Sequence, residues 1–487
     1  MKNIISVVSA LFILVQVGAQ TFDGPLSVHP ENGRYFTDNS GKAIYLTGSH
    51  TWETFQEINV PDDTSAFDWK GYLEMMTENH HNFSRLWIWE QAKKGSWTKD
   101  EIAFSPLPHQ TNTKNGKKRY DLSKWNEAYF NRLRQRVKDA EDSGIYVSIM
   151  LFQGWSLNKL GTVDGDPWPY HPFNPVNNVN GVGKSVTNNN VDDETIGTLH
   201  AMNNGDVLEH QEAFVKKVLE TLNGFDNVLY EILNEGGTKD WQYHMVDLIK
   251  EIEKTMPKQH PVGMTHAVTV NPPMFNDDLR KSNADWISPT PEPLAWMYTD
   301  SDFLEDYQND VPATTGEKVV ILDTDHLWGH GRNYSWAWKA FVRGYHPIFM
   351  DAWEPIPGEY DEKSSSVFFA GGVTKNSKDY PDWEPLRKNM GHILRLAERL
   401  DLAKMTPQNQ LSSTRYCLGD PGEAYVIYMP EGRATSDLRN AKSDFTVEWF
   451  IPTLARTIKG TEVLEGGNFK MLRAPYTGDA VLYLRKQ

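Results

Sequence analysis

The chain has a single cysteine in 487 residues, Cys417, which excludes an intrachain disulfide and a cysteine metal cluster. Cationic charge is also short: 49 Lys and Arg face 65 Asp and Glu, a net charge of −16. Nucleic acid is excluded as a partner on that balance, and so is an anionic membrane surface. Beyond the N-terminus no apolar run is long enough to cross a bilayer, so no membrane insertion is expected. There is no HExxH or comparable ligand spacing, and neither a metal nor another cofactor is expected. No repeat of solenoid or propeller type is present.

Against these absences stands a heavy aromatic load of 17 Trp, 20 Tyr and 21 Phe, which suits stacking on sugar rings as well as core packing. Met1–Gln20 has the pattern of a secretory signal: Lys2, an apolar run from Ile4 to Val17, then Gly18 and Ala19. The expectation is an exported protein, periplasmic or extracellular in a bacterium, and no cysteine near the cleavage site could carry a lipid.

The remainder reads as a (β/α)8 TIM barrel over residues 21–403, followed by a small antiparallel β-sandwich over 404–487. A hairpin is predicted from Arg34–Asp38 against Lys42–Leu46, its second arm running into the first barrel strand and ending at His50 and Trp52. The second strand follows a helix over Phe67–Asn79, and its alternation puts Arg85, Trp87 and Trp89 on one face. The third spans Ile145–Phe152. After it comes a long Asn-, Gly- and Pro-rich segment, 153–206, expected to cover a site, with Trp155 and Trp168 as candidate sugar contacts; surface decoration is the alternative. The fifth ends at His266, and a short sixth spans Asp285–Ser288. The seventh, Lys318–His326, places Asp323 and Asp325 on one face and Thr324 on the other. The eighth, Pro347–Asp351, leads to Trp353. Beyond Ala403, short runs such as Ala424–Tyr428, Thr446–Phe450 and Ala480–Leu484 alternate with turns, the pattern of an antiparallel sandwich.

The fourth strand carries the strongest chemical signal. Asn227–Leu233 is an apolar run that stops on Asn234, Glu235 and two glycines. A carboxylate ending a buried strand costs several kcal/mol unless it is paired or used, and in parallel barrels the strand carboxyl ends form the active face. Glu235 is therefore a candidate catalytic acid; pairing with an Arg or capping the next helix is the bland alternative. Glycosidic cleavage needs a second carboxylate, for which Asp323 and Asp325 are the candidates, with Asp323 alternatively orienting His326 or Arg85. His50 and His266 are open to a wall role or, with the aspartates, to metal ligation.

Tyr230-Glu231-Ile232-Leu233-Asn234-Glu235 resembles the fourth-strand Asn-Glu signature of clan A glycoside hydrolases, and Lys318–Asp325 resembles the seventh strand of the apiosidase-like barrels within them. The resemblance implies Glu235 as general acid/base, Asn234 on the neighbouring sugar hydroxyl and Asp325 as nucleophile. The clan usually has Glu at that last position, one methylene longer. The clan's sixth-strand Tyr has no match in Asp285–Ser288. Phe445–Phe450 and Gly478–Leu484 are similar to the collagen-binding-type sandwich appended to that group.

These features together are read as a secreted glycoside hydrolase acting on a polysaccharide or oligosaccharide through a carboxylate pair, with retention of configuration. A non-catalytic carbohydrate-binding barrel and a polysaccharide lyase, the latter using Arg85 with His50, remain the alternatives.

Overall fold

The structure, a computed structural model, describes residues 22–56, 67–90, 102–111, 118–154, 168–186, 198–266, 274–290, 306–327, 331–351, Trp353 and 383–487. The leader expected over Met1–Gln20, and Trp155, lie outside these residues.

Eight parallel strands close into a barrel: β1 (Gly48–His50), β2 (Phe83–Leu86), β3 (Tyr146–Gln153), β4 (Val228–Asn234), β5 (Val262–Thr265), β6 (Trp286–Ser288), β7 (Val319–Asp323) and β8 (His346–Met350). Order around the barrel follows order in the chain, and β8 pairs back onto β1. Outward-facing residues such as Val147, Val228 and Leu322 join a core shared with the surrounding helices. Those helices are α1 (Trp69–Glu78), α2 (Glu127–Asp142), α3 (Gly205–Leu222), α4 (Lys239–Glu253), α5 (Asn276–Lys281), α6 (Tyr334–Val342) and α7 (Trp383–Ala397). The helical stripe predicted from Tyr129 through Leu133, Val137 and Ala140 is the buried face of α2.

The inside of the barrel changes character along its axis. At the amino end Phe83, Tyr146, Leu229, Trp286, Ile321 and Ile348 form an apolar plug, closed below by Leu26, Phe36 and Leu46. The Trp286 indole occupies the place where a Cβ on Gly263 of the neighbouring strand would stand, so only glycine admits it there. Two residues further on, about 6–7 Å along a strand, the same faces present Arg85, Ser148, Glu231, Ser288 and Asp323, all buried. A barrel strand places its chemistry at its carboxyl end because its inward positions switch from apolar to polar there.

Three local expectations are corrected. The N-terminal hairpin reduces to one bridge between Phe36 and Ile44, because Phe36–Thr37 pairs instead with Ser27–Val28. The seventh strand stops at Asp323, and Thr324–Leu327 is a helical turn, so Asp325 is not a strand residue two positions further along. Between β2 and β3 an additional antiparallel hairpin, Phe104–Thr111 with Lys118–Trp125, projects from the barrel.

The C-terminal part holds a six-stranded antiparallel sheet, which includes Cys417–Asp420, Ala424–Met429, Phe445–Ile451, Arg456–Leu464 and Ala480–Lys486. A two-stranded sheet, Arg433–Asp437 with Phe469–Arg473, lies beside it. Alternation divides the large sheet's side chains cleanly. Tyr425, Ile427 and Leu482 face a small core with Ala434 and Leu472, whereas Val426, Tyr428 and Val481 join the core of the barrel helices.

Candidate active site

Arg85 is the centre of the polar layer. Its Nε donates to Glu231 Oε2 at 2.7 Å and its Nη2 to Glu231 Oε1, a bidentate pair across β2 and β4. Nη2 also donates to Asn234 Oδ1 at 2.7 Å. Nη1 donates to Asp323 at 3.2 Å and to Asp325 at 3.3 Å. Burial alone would lower the guanidinium's pKa, but Glu231, Asp323 and Asp325 more than reverse this and raise it. One cation thus gathers three carboxylates from opposite sides of the barrel. The excess negative charge suits a reaction whose transition state is cationic at carbon.

Asp323 is bonded on both oxygens. Oδ1 accepts from His50 Nε2 at 2.9 Å and from the Asp325 backbone N–H at 2.9 Å, and Oδ2 from Arg85. Burial pushes its pKa up, yet His50 and Arg85 hold it well below the usual carboxylate range. The bond to the Asp325 N–H also caps the helical turn that replaces the end of the strand. His326, on that turn, is buried and held near pKa 3, first by desolvation and further by Arg85. As a neutral ring it donates from Nε2 to Asn234 Oδ1 at 3.1 Å, and its Nδ1 meets the Ser288 hydroxyl at 3.0 Å. Both bonds to Asn234 fall on Oδ1, and Nδ2 has no hydrogen-bond partner among the described residues.

Asp323, Asp325 and His326 bring three potential metal-ligand atoms within 4.8 Å of one another. Their chemistry does not fit a cation, because Arg85 already occupies both carboxylates and His326 is committed to Asn234 and Ser288.

Glu235 follows β4 directly and is buried, with φ +47°, a left-handed conformation that costs a side-chain-bearing residue roughly 1–2 kcal/mol. Such strain persists only where the surroundings impose it, and it concentrates at functional sites. Gly154 makes room for it: its N–H donates to the Asn234 carbonyl at 2.8 Å, and a Cβ on it would lie 2.5 Å from the Glu235 carbonyl oxygen.

Residues 30–180 match the family described as apiosidase-like, catalytic domain, and residues 107–302 match a domain of unknown function (DUF6298). The chain superposes on a glycoside hydrolase with a TM-score of 0.61 at 13% identity, covering 96% of this chain and 97% of that one. A glycoside hydrolase family 5 protein from Bacteroides vulgatus gives 0.60 at 14% identity, over 95% and 94% of the two chains. At these identities the structural likeness is one of fold. No curated protein sequence matches significantly. The closed barrel, the apiosidase-like match and these neighbours together fit a clan A-type (β/α)8 glycoside hydrolase.

In this barrel the predicted residues His50, Arg85, Asn234, Asp323, Asp325 and His326 form one hydrogen-bonded cluster, and Glu235 adjoins Asn234 in the chain. His266 ends β5 in a buried position, where desolvation holds it near pKa 4. The tryptophans at and beyond the strand ends are closely packed. Trp52, Trp87 and Trp89 are 2–3% exposed and Trp353 8%. Trp87 stacks on His50 with ring centroids 5.9 Å apart, Trp89 Nε1 donates to the Trp52 carbonyl, and Trp353 meets Tyr72 edge-on. Trp87 also lies under the Arg85 guanidinium, 5.0 Å from its ring centroid. Trp168 stacks on His171, with centroids 5.7 Å apart.

Sequence reasoning missed Glu231, although an acid inside an apolar run, facing the same way as an inward Arg, was a usable signal. It also missed Glu90. Burial raises the Glu90 pKa, but His200 and His171 outweigh this and hold it near 2. Glu90 Oε1 meets His200 Nε2 at 2.9 Å and accepts the Gln153 N–H at 2.7 Å. Because the His200 carbonyl accepts from the Thr238 N–H at 2.9 Å, Glu90 is tied to both segments that flank Glu235.

Proposed function

We propose that this hydrolase is an exported, retaining glycosidase acting on a plant, algal or microbial polysaccharide or its oligosaccharides, with Glu235 as general acid/base and Asp325 as nucleophile. The observation that carries the reading is the state of Asn234: two donors pin its Oδ1, leaving its NH2 to meet a sugar hydroxyl next to the reacting carbon. Asp323 suits an orienting role because His50, Arg85 and the Asp325 N–H use both its oxygens. Asp325, at 8% exposed against 2%, is the more accessible of the pair. In the first step Asp325 would attack the anomeric carbon while Glu235 protonates the departing oxygen; in the second, Glu235 would take a proton from the water that releases the sugar. The export signal over residues 1–20 supports a substrate met outside the cell.

A reducing-end assay over a panel of neutral and acidic glycans, with Glu235→Gln as control, tests this. A Gln variant within a few-fold of wild type on the true substrate would remove Glu235 from its role. Proton NMR of the first-formed product decides the stereochemistry, since an inverted anomer would recast Asp325 as a base acting on water.

A further inference from the structure

A cavity lies at the seam between α6, α7 and the six-stranded sheet. It encloses about 310 Å³, the lower end of the range for small-molecule sites, which favour such junctions. Trp338 and Phe450 line it with ring centroids 5.2 Å apart, and His392 packs on Phe450 at 4.8 Å.

The polar groups at this cavity are unequally satisfied. Arg399 is neutralised by Glu448, through bonds of 2.7 and 3.0 Å, and lies over the Tyr483 ring. Arg395 makes no hydrogen bond or ion pair among the described residues, and Glu398, the acid near it, is engaged by His80 at 3.0 Å. The His392 ring and the Tyr483 hydroxyl have no hydrogen-bond partner among the described residues either. Burial, with Arg395 and His80 nearby, holds His392 near pKa 4, so at neutral pH it offers one N–H and one lone pair. In a chain of net charge −16, a guanidinium beside aromatic rings with no direct hydrogen-bond or ion-pair partner among the described residues is a local reversal of sign.

We infer that this seam cavity binds a single anionic sugar unit, its carboxylate or sulfate on Arg395, its hydroxyls on His392 and Tyr483, and its apolar face against the rings. With no carboxylate pair poised across it, the cavity is a holding site and not a second catalytic one. It would keep an acidic glycan on the enzyme while the barrel acts elsewhere on the chain, and it stands independently of the roles given to Glu235 and Asp325.

Calorimetric titration of the full chain with galacturonate, a sulfated galactose, neutral galactose and inorganic sulfate tests the inference. The two acidic sugars should bind saturably, at least tenfold more tightly than galactose or inorganic sulfate. Arg395→Gln should weaken them at least tenfold with an unchanged melting temperature, and Tyr483→Phe should weaken them less. Glu235→Gln should leave this binding intact, which separates it from the barrel site. Equal binding of galactose, equal binding of inorganic sulfate, no saturable binding, or full affinity in Arg395→Gln would each overturn it.

Discussion

The carbonyl oxygen of Glu235 sits 2.5 Å from the point a Cβ on Gly154 would occupy. The end of β3 therefore packs against the backbone at the end of β4 as closely as only glycine permits. Gly154→Ala must push that carbonyl away, and a displacement of about 1 Å at a reacting group costs on the order of 10²-fold in rate. We expect kcat/KM to fall by about that factor while circular dichroism stays native. Unchanged kinetics would show that the left-handed turn at Glu235 does not depend on Gly154.

Glu90 offers a test of the same backbone from its other side. Glu90→Ala leaves the Gln153 N–H and His200 without their acceptor, and each buried unmet group costs about 1–3 kcal/mol. Melting temperature should drop, and kcat should fall more than KM changes, because Glu90 holds the frame of Glu235 and not the sugar. A variant with a raised KM and normal kcat would place Glu90 in binding instead.

Asp323→Asn and Asp325→Asn should separate orientation from chemistry. At Asp325 the loss should exceed 10²-fold and be insensitive to pH. Asp323→Asn still accepts from His50 through Oδ1 but weakens the hold on Arg85, so a smaller loss accompanied by reduced stability is expected. The reverse ranking in steady-state assays would transfer the nucleophile to Asp323.

Removing Arg85 leaves Glu231 buried without its bidentate partner, and breaking a buried pair costs about 3–5 kcal/mol. Arg85→Met should thus unfold at much lower denaturant, and Arg85→Met combined with Glu231→Gln should recover part of the loss. Equal midpoints for the single and double variants would show that Glu231 is not the group left stranded.

Acid should weaken the fold in two stages. His266 and His346 are held near pKa 4 by burial, below the unfolded value of about 6.5, so the unfolded chain binds more protons between those limits and stability falls as pH drops through them. Glu90, held near 2, and Asp323, also depressed, contribute stability above an unfolded pKa of about 4 that is lost below it. Melting temperature should decline from pH 6.5 to 4 and more steeply below. A flat profile down to pH 4 would contradict the buried neutral histidines.

Much of the fold was legible because several barrel strands, β3, β4 and β7 among them, are short apolar runs that end in a polar residue. That pattern located Arg85, Asn234, Glu235 and Asp323. The exit of β7 was not legible: Asp323-Thr324-Asp325 satisfies strand alternation and a capped helical turn equally, and only the bond from the Asp325 N–H to Asp323 decides between them. The hairpin at 104–125 was hidden by Pro106 and Pro108, which argue against a strand. The close packing of Trp89 and Trp353 was not legible either, because a position beyond a strand end does not say which surface will cover it.

The large C-terminal sheet gives one face to its own core and the other to α6 and α7. Asn389 on α7 also donates to the Pro452 carbonyl at 3.0 Å. Neither half has a finished surface without the other. Calorimetry of the intact chain should therefore record one cooperative melting event, with the calorimetric and van't Hoff enthalpies in agreement. A chain shortened near residue 403 would bare Trp338, Leu396 and their neighbours, and would be recovered as aggregate and not as a smaller working enzyme.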